Sequence, residues 1–162
     1  MIHVNVRGLA VREKAGERKL LIQLRQRQGE PEIYELPGGR INEYEQMTDA
    51  LKREIQEETG LRVIAVWDQE KKMVTSGSGG TNSFAMECVK PYAAYQTLAG
   101  PVDSFGVYFV CEVEGELIAE GDDTADVHWA DREELNRLVQ KKQFSEIDLP
   151  ALLMYLGEEQ VM

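Results

Sequence analysis

The stretch from Gly38 to Leu61, GGRINEYEQMTDALKREIQEETGL, decides how this chain reads. Pro37-Gly38-Gly39 stops a short apolar run at residues 33–36, which reads as a strand. A helical pattern then covers residues 46–59 and ends at Gly60, the residue type that accepts a left-handed C-terminal position. At about 100° per residue, with Glu54 set to zero, Glu58 falls at about +40° and Glu57 at about −60°. Met47, Ala50 and Leu51 fall at about +20°, −40° and +60° on the same rule. The three carboxylates therefore continue the apolar stripe, and Thr48, Asp49, Lys52 and Gln56 form the solvated face.

Carboxylates in line with a buried stripe repel one another and lose solvation, so a cation is expected among them. Mg²⁺ suits the place, because it takes oxygen ligands and keeps several of its waters. The carboxyl end of a helix dipole strengthens the preference for positive charge. Arg53, about 100° from Glu54 on the side of Glu57, is placed to hold a carboxylate through a bidentate contact. Glu45, ahead of the helix, is placed to reach back to Arg53. The glycines let backbone approach a ligand closely, and the carbonyl of a glycine before the helix is placed to join a metal shell.

Outward from this segment, residues 2–11 and 20–24 read as two strands joined by a charged turn at 12–19. Residues 61–67, 84–89, 107–113 and 127–130 read as further strands, and an acidic loop at 114–126 holds a short one at 117–119. Residues 76–83, SGSGGTNS, read as a hairpin loop. Asp131 caps a helix at 132–141, with Glu134 in the capping-box position, and 149–156 is a last short helix. Short strands with one central and two terminal helices give an α+β fold, an α/β/α sandwich around a mixed sheet, as one domain over residues 1–162.

Composition narrows the function. The chain has 162 residues with 18 Lys+Arg against 29 Asp+Glu, a net charge of −11. That balance argues against a nucleic-acid polymer or an anionic membrane surface as partner, since either demands clustered positive charge. Cys88 and Cys111 read as two buried free thiols, and with only His3 and His128 besides, a four-ligand zinc site cannot be assembled. The N-terminus lacks the pattern of a signal peptide, and no apolar run approaches a membrane span, so a soluble, cytoplasmic protein is expected.

The spacing of Gly39, Glu45, Arg53-Glu54-Ile55, Glu57-Glu58 and Gly60-Leu61 resembles the Nudix box of the Nudix hydrolases (MutT-like) at every specified position. Residues 129–135, WADREEL, resemble the family's C-terminal signature. The resemblance implies a Nudix-type mixed sheet flanked by helices, with the catalytic loop–helix–loop. It implies a hydrolase that cleaves the diphosphate bond of a nucleoside diphosphate linked to another moiety, using Mg²⁺ or Mn²⁺ and water attack on phosphorus. NTPs, nucleotide sugars and ADP-ribose-like compounds are the candidate substrates.

In the family, residues matching Glu57 and Glu58 bind metal, and the one matching Glu54 binds metal or orients the water. Those matching Arg53 and Glu45 brace the acids, and the carbonyl matching Gly38 ligates. The general base often comes from a downstream loop, where Glu120 is the candidate beside Asp122 and Asp123. Arg25 and Arg27 are candidates for phosphate contact, and Trp67, Tyr92, Tyr95, Phe105 and Tyr108 for base stacking, although core packing is the better reading of each aromatic. The alternative is a non-catalytic Nudix-fold domain that senses a nucleotide; such domains usually lack one or more box acids, and here all are present. Homodimers are common in the family, and nothing in the sequence decides for or against one.

Overall fold

The computed structural model describes residues 1–118, 120–121 and 124–161, with the backbone alone described at 120, 121 and 159–161. Ala119, Asp122 and Asp123 lie outside the described residues, as does the side chain of Glu120.

β1 (His3–Lys14) and β2 (Glu17–Arg25) form a hairpin turned at Ala15-Gly16. The strands extend through the charged stretch expected to be a turn. In the antiparallel ladder Glu13 stands opposite Arg18 and Lys14 opposite Glu17, so the charges support pairing. β1 and β2 pair from Val11 outward to Lys14; nearer the middle of the sheet they diverge, and two short strands fill the gap. β3 (Ile33–Glu35) pairs with β2, and β4 (Gly38–Arg40) pairs with β1. The Pro-Gly-Gly breaker thus crosses a split in the sheet and re-enters it as a strand.

α1 (Met47–Thr59) follows, then β5 (Arg62–Val66), β6 (Met73–Thr75), β7 (Met86–Cys88), β8 (Ala93–Gln96) and β9 (Ser104–Glu114). β10 (Glu120–Gly121), β11 (Thr124–Ala130), α2 (Arg132–Gln140) and α3 (Leu149–Val161) complete the order. The main sheet runs β10-β11-β2-β1-β9-β5, with β1 and β9 parallel and the other pairings antiparallel. β6 and β7 pair apart from it, and residues 76–85 join them, the expected hairpin loop at 76–83 lengthened by two residues expected to be strand. β4, β6 and β8, three or four residues each, escape periodicity because they are too short to show one.

Strand alternation divides the apolar residues between two faces. Val6, Ala10, Leu21, Val107 and Phe109 pack with Ala50, Leu51 and Ile55 of α1. Leu9, Leu20, Ile22, Tyr108 and Val110 pack with Leu135 and Leu138 of α2 and with Leu152, Tyr155 and Leu156 of α3. This is the expected α/β/α sandwich.

Three local expectations are corrected. Cys111 is buried, but Cys88 is exposed, because β7 lies outside the main sheet. Asp131 accepts the Glu134 N–H at 2.8 Å, but the Glu134 carboxylate meets His128 Nε2 at 2.6 Å and does not complete the capping box. Of the aromatics, Tyr108 is core and Tyr92, Tyr95 and Trp67 pack against it, whereas Phe105 is 44% exposed. Among the described residues, no helix is long and apolar enough to cross a membrane.

Candidate active site

The site is built on the C-terminal half of α1 and the split beneath it. Gln46 precedes the helix without capping it through its side chain. Glu87 of β7 takes that role from a distance, accepting the Met47 N–H at 2.8 Å and the Thr48 hydroxyl at 3.3 Å, with Lys72 Nζ 3.3 Å away. At the other end Gly60, at φ 79°, donates to Gln56 O. The last turn carries no basic residue of its own, so its carboxylates meet the negative helix end.

The buried residues of α1 are Thr48, Ala50, Leu51, Ile55 and Thr59, which centre the stripe about 80° from Glu54. The expectation that all three acids continue that stripe is corrected accordingly. Glu54 and Glu58 fall within it and are part-buried, whereas Glu57 falls outside it and its side chain is 60% exposed. Thr48, expected on the solvated face, is buried beneath Lys72 and Glu87.

Arg53 organises the outer part of the site. Its Nε and Nη2 bind the two Glu45 oxygens at 2.8 and 2.9 Å, its Nη1 reaches Glu54 Oε1 at 2.8 Å and Glu57 Oε2 at 3.5 Å, and Nη2 also donates to Arg40 O at 3.0 Å. The Arg53 hydrogen bonds, with the Asn42 N–H, hold Glu45 far below the usual carboxylate range, at about 2. Beneath Glu54 lies Gly39: a β-carbon there would stand 2.5 Å from Glu54 Oε2. Gly38, at φ 153°, is pressed against Val6 O and Arg7 of β1.

The inner part centres on Glu58, whose Oε2 accepts from Gln23 Nε2 at 2.6 Å and from Gly38 N at 3.2 Å. Burial pushes its carboxyl up to about 7 against those two bonds. Gln23 also reaches Glu35 Oε1 at 3.4 Å, and Arg25 holds Glu35 Oε2 from Nε at 3.0 Å and Nη2 at 2.6 Å. Arg7 donates to Leu36 O at 3.2 Å and approaches Asp148 at 3.5 Å; Asp148 accepts the Leu36 N–H at 2.9 Å and the Tyr108 hydroxyl at 2.6 Å. These bonds pin the segment that crosses the split.

The structure therefore brings Gly38, Glu45, Arg53, Glu54, Glu57 and Glu58 to one place. Arg25 stands beside them with its guanidinium engaged by Glu35, and Arg27 is exposed on the following loop. The backbone of Glu120 pairs with Ala125 in β10, which packs near α1, while Ile118 N donates to Thr59 O at 3.0 Å. Gln23, Glu35, Arg7 and Asp148 are the residues that sequence reasoning missed. Gln23 alone carries a local signal, as a polar residue inside the apolar run LLIQL.

The chain belongs to the Nudix hydrolases: the family model of the NUDIX domain matches residues 1–152. Solved structures agree in fold. A possible asymmetric diadenosine tetraphosphate hydrolase from Jonesia denitrificans is 17% identical, with TM-score 0.68 over 97% of this chain and 96% of that one. A MutT Nudix hydrolase from Burkholderia pseudomallei is 18% identical, with TM-score 0.56 over 83% and 86%. The NUDIX domain of Shewanella oneidensis NrtR, complexed with ADP ribose, is 16% identical, with TM-score 0.58 over 100% and 90%. No curated protein is similar enough to count as a match.

Proposed function

We propose that this chain hydrolyses the diphosphate bond of a nucleoside diphosphate linked to another moiety. The observation that carries the reading is the set of three α1 carboxylates beside two glycines, Glu54 and Glu57 held by Arg53 and part-buried Glu58 held by Gln23 and the Gly38 N–H.

Glu54, Glu57, Glu58 and the Gly38 carbonyl would hold Mg²⁺ or Mn²⁺. All are hard oxygen donors, and Oε1 of part-buried Glu58 is left without a hydrogen bond among the described residues. Among the described residues no three acidic, imidazole or thiol side chains converge closely enough to hold a metal ion by themselves. An open set fits Mg²⁺, which is usually held by one or two carboxylates together with waters and substrate phosphates. When bound, the ion neutralises diphosphate charge and polarises phosphorus.

The chain's own groups do the rest. Arg53 fixes Glu54 and Glu57 and is itself fixed by Glu45. The site carries more acid than base, so a polyanionic substrate is accepted with its cation and not by bulk attraction. A water oxygen bonds to phosphorus while the bond to the bridging oxygen breaks. Glu120 is proposed to take the water's proton, a role of the kind that contributes about 10²–10⁴-fold. Arg25 and Arg27, at the end of β2 and just beyond it, are proposed to face the substrate phosphates.

The test is a panel of NTPs, oxidised dNTPs, ADP-ribose, nucleotide sugars and dinucleoside polyphosphates with Mg²⁺, read by released phosphate or nucleotide. Cleavage of at least one class is expected. Binding without cleavage across the panel would replace this reading with the sensing one.

A further inference from the structure

Leu20, Leu21, Ile22, Gln23 and Leu24 form a continuous buried run in β2, and Gln23 is fully buried within it. By alternation Gln23 shares the α1 face with Leu21, where packing alone selects an apolar side chain. Its amide instead makes two contacts, both to carboxylates. Nε2 lies 2.6 Å from Glu58 Oε2 and 3.4 Å from Glu35 Oε1, and because Glu35, ion-paired to Arg25, only accepts, this end of the amide is the donor. The other end, Oε1, is buried and has no hydrogen-bond partner among the described residues. A half-satisfied amide in an apolar strand costs the fold stability, so something other than the core accounts for it.

We propose that Gln23 is a positioning residue for the metal site, acting through Glu58. The inference rests on the proposed role of Glu58 as a ligand. Both hydrogen bonds to Glu58, from Gln23 and from Gly38, fall on Oε2. That oxygen is tied down, and Oε1 is left for a cation. The tie runs to the middle of the sheet and not to a loop. Gln23 sits in a strand paired on both sides, with β11 and with β3, and its second partner Glu35 is clamped by Arg25. Glu58 is thereby referenced to the rigid sheet, while Glu54 and Glu57 are referenced to Arg53 on the helix itself. Partners of this kind behind a ligand commonly set metal affinity within a factor of about 10–100.

The experiment measures Mn²⁺ binding to the substrate-free protein by electron paramagnetic resonance, alongside the thermal midpoint without metal. Wild type is compared with Gln23→Met, which keeps volume and removes the amide, and with Gln23→Asn, which keeps an amide but loses its reach. Both variants are expected to bind Mn²⁺ about 10–100-fold more weakly. The metal-free midpoint of Gln23→Met should stay at or above that of wild type. Wild-type affinity in either variant would overturn the inference, because packing and not reach would then be the role of Gln23. A metal-free midpoint that falls together with affinity in both variants would overturn it equally, as a purely structural role. Failure of the wild type to bind Mn²⁺ would instead remove the metal reading of Glu58, and this inference with it.

Discussion

The Glu54 carboxylate fills the space where Gly39 would carry a β-carbon: that atom would stand 2.5 Å from Oε2 and 2.6 Å from Cδ. The neighbour is the end of a flexible side chain, so Gly39→Ala can be accommodated by displacing Glu54. Turnover is expected to fall about 10²-fold, the cost of misplacing a reacting group by about 1 Å. The melting midpoint should move little. Gly38→Ala meets Arg7 Cα at 2.6 Å at φ 153°, where neither backbone can yield, so it should destabilise the fold by more than about 1 kcal/mol. Steady-state rates and denaturant titrations of both variants separate the two effects; a Gly39→Ala enzyme with full activity would exclude a role for the close approach.

Arg53→Lys tests the brace. The guanidinium spans Glu45, Glu54, Glu57 and Arg40 O at once, and a single ammonium cannot reproduce that fork. Activity should drop about 10–100-fold, with a raised Mg²⁺ requirement. A lysine variant that titrates with Mg²⁺ as wild type does would show that charge alone suffices at this position.

His128 gives the fold a defined pH dependence. Burial works against its charge, but the hydrogen bond to Glu134, the Asp126 carbonyl at 2.8 Å and the two carboxylates outweigh that and raise its pKa above 6.5. Because the folded value lies above the unfolded one, the contribution is complete below about 6.5 and is lost as pH rises through the folded value. The melting midpoint of wild type should therefore decline relative to His128→Gln above that pH. Parallel curves for the two proteins would show that His128 does not titrate differently on folding.

The two thiols should separate cleanly. Cys88 is exposed on β7, whereas burial pushes the Cys111 thiol up to about 12. One thiol is expected to react quickly with an aromatic disulfide reagent in native buffer, and the second only in denaturant. Two fast thiols would contradict the burial of Cys111 beneath α1.

How much of this was legible in the chain follows from the range of the interactions. α1 and its end at Gly60 were legible because helix period and C-terminal glycine act within a few residues. The Glu45–Arg53 pair was legible for the same reason. The exposure of Glu57 does not follow from Met47, Ala50 and Leu51 alone, because buried Ile55 and Thr59 turn the stripe away from it. β4 was hidden because its partner, β1, lies more than thirty residues earlier in the chain. Arg7, Glu35 and Asp148 meet only when the split forms and α3 docks, so no local pattern announces them.

The metal and proton-transfer roles can be told apart with one pair of variants. Glu57 is mostly exposed and touches Arg53 at 3.5 Å, so Glu57→Gln should change stability by no more than about 0.5 kcal/mol. If it is a ligand, its loss should weaken Mg²⁺ binding and lower turnover by about 10²-fold or more. Glu120 lies on β10, which is carried near α1 by the segment that donates from Ile118 to Thr59. If it takes the water's proton, Glu120→Gln should lower kcat by about 10²–10⁴-fold and leave Mg²⁺ affinity unchanged. Mg²⁺ titrations of kcat for the two variants give the answer: a shifted midpoint with Glu57→Gln and an unshifted, lowered plateau with Glu120→Gln. An unchanged plateau with Glu120→Gln would move the base to another carboxylate, with Glu54 next to be tested. Full activity of Glu57→Gln at limiting Mg²⁺ would remove the three-carboxylate reading of the site.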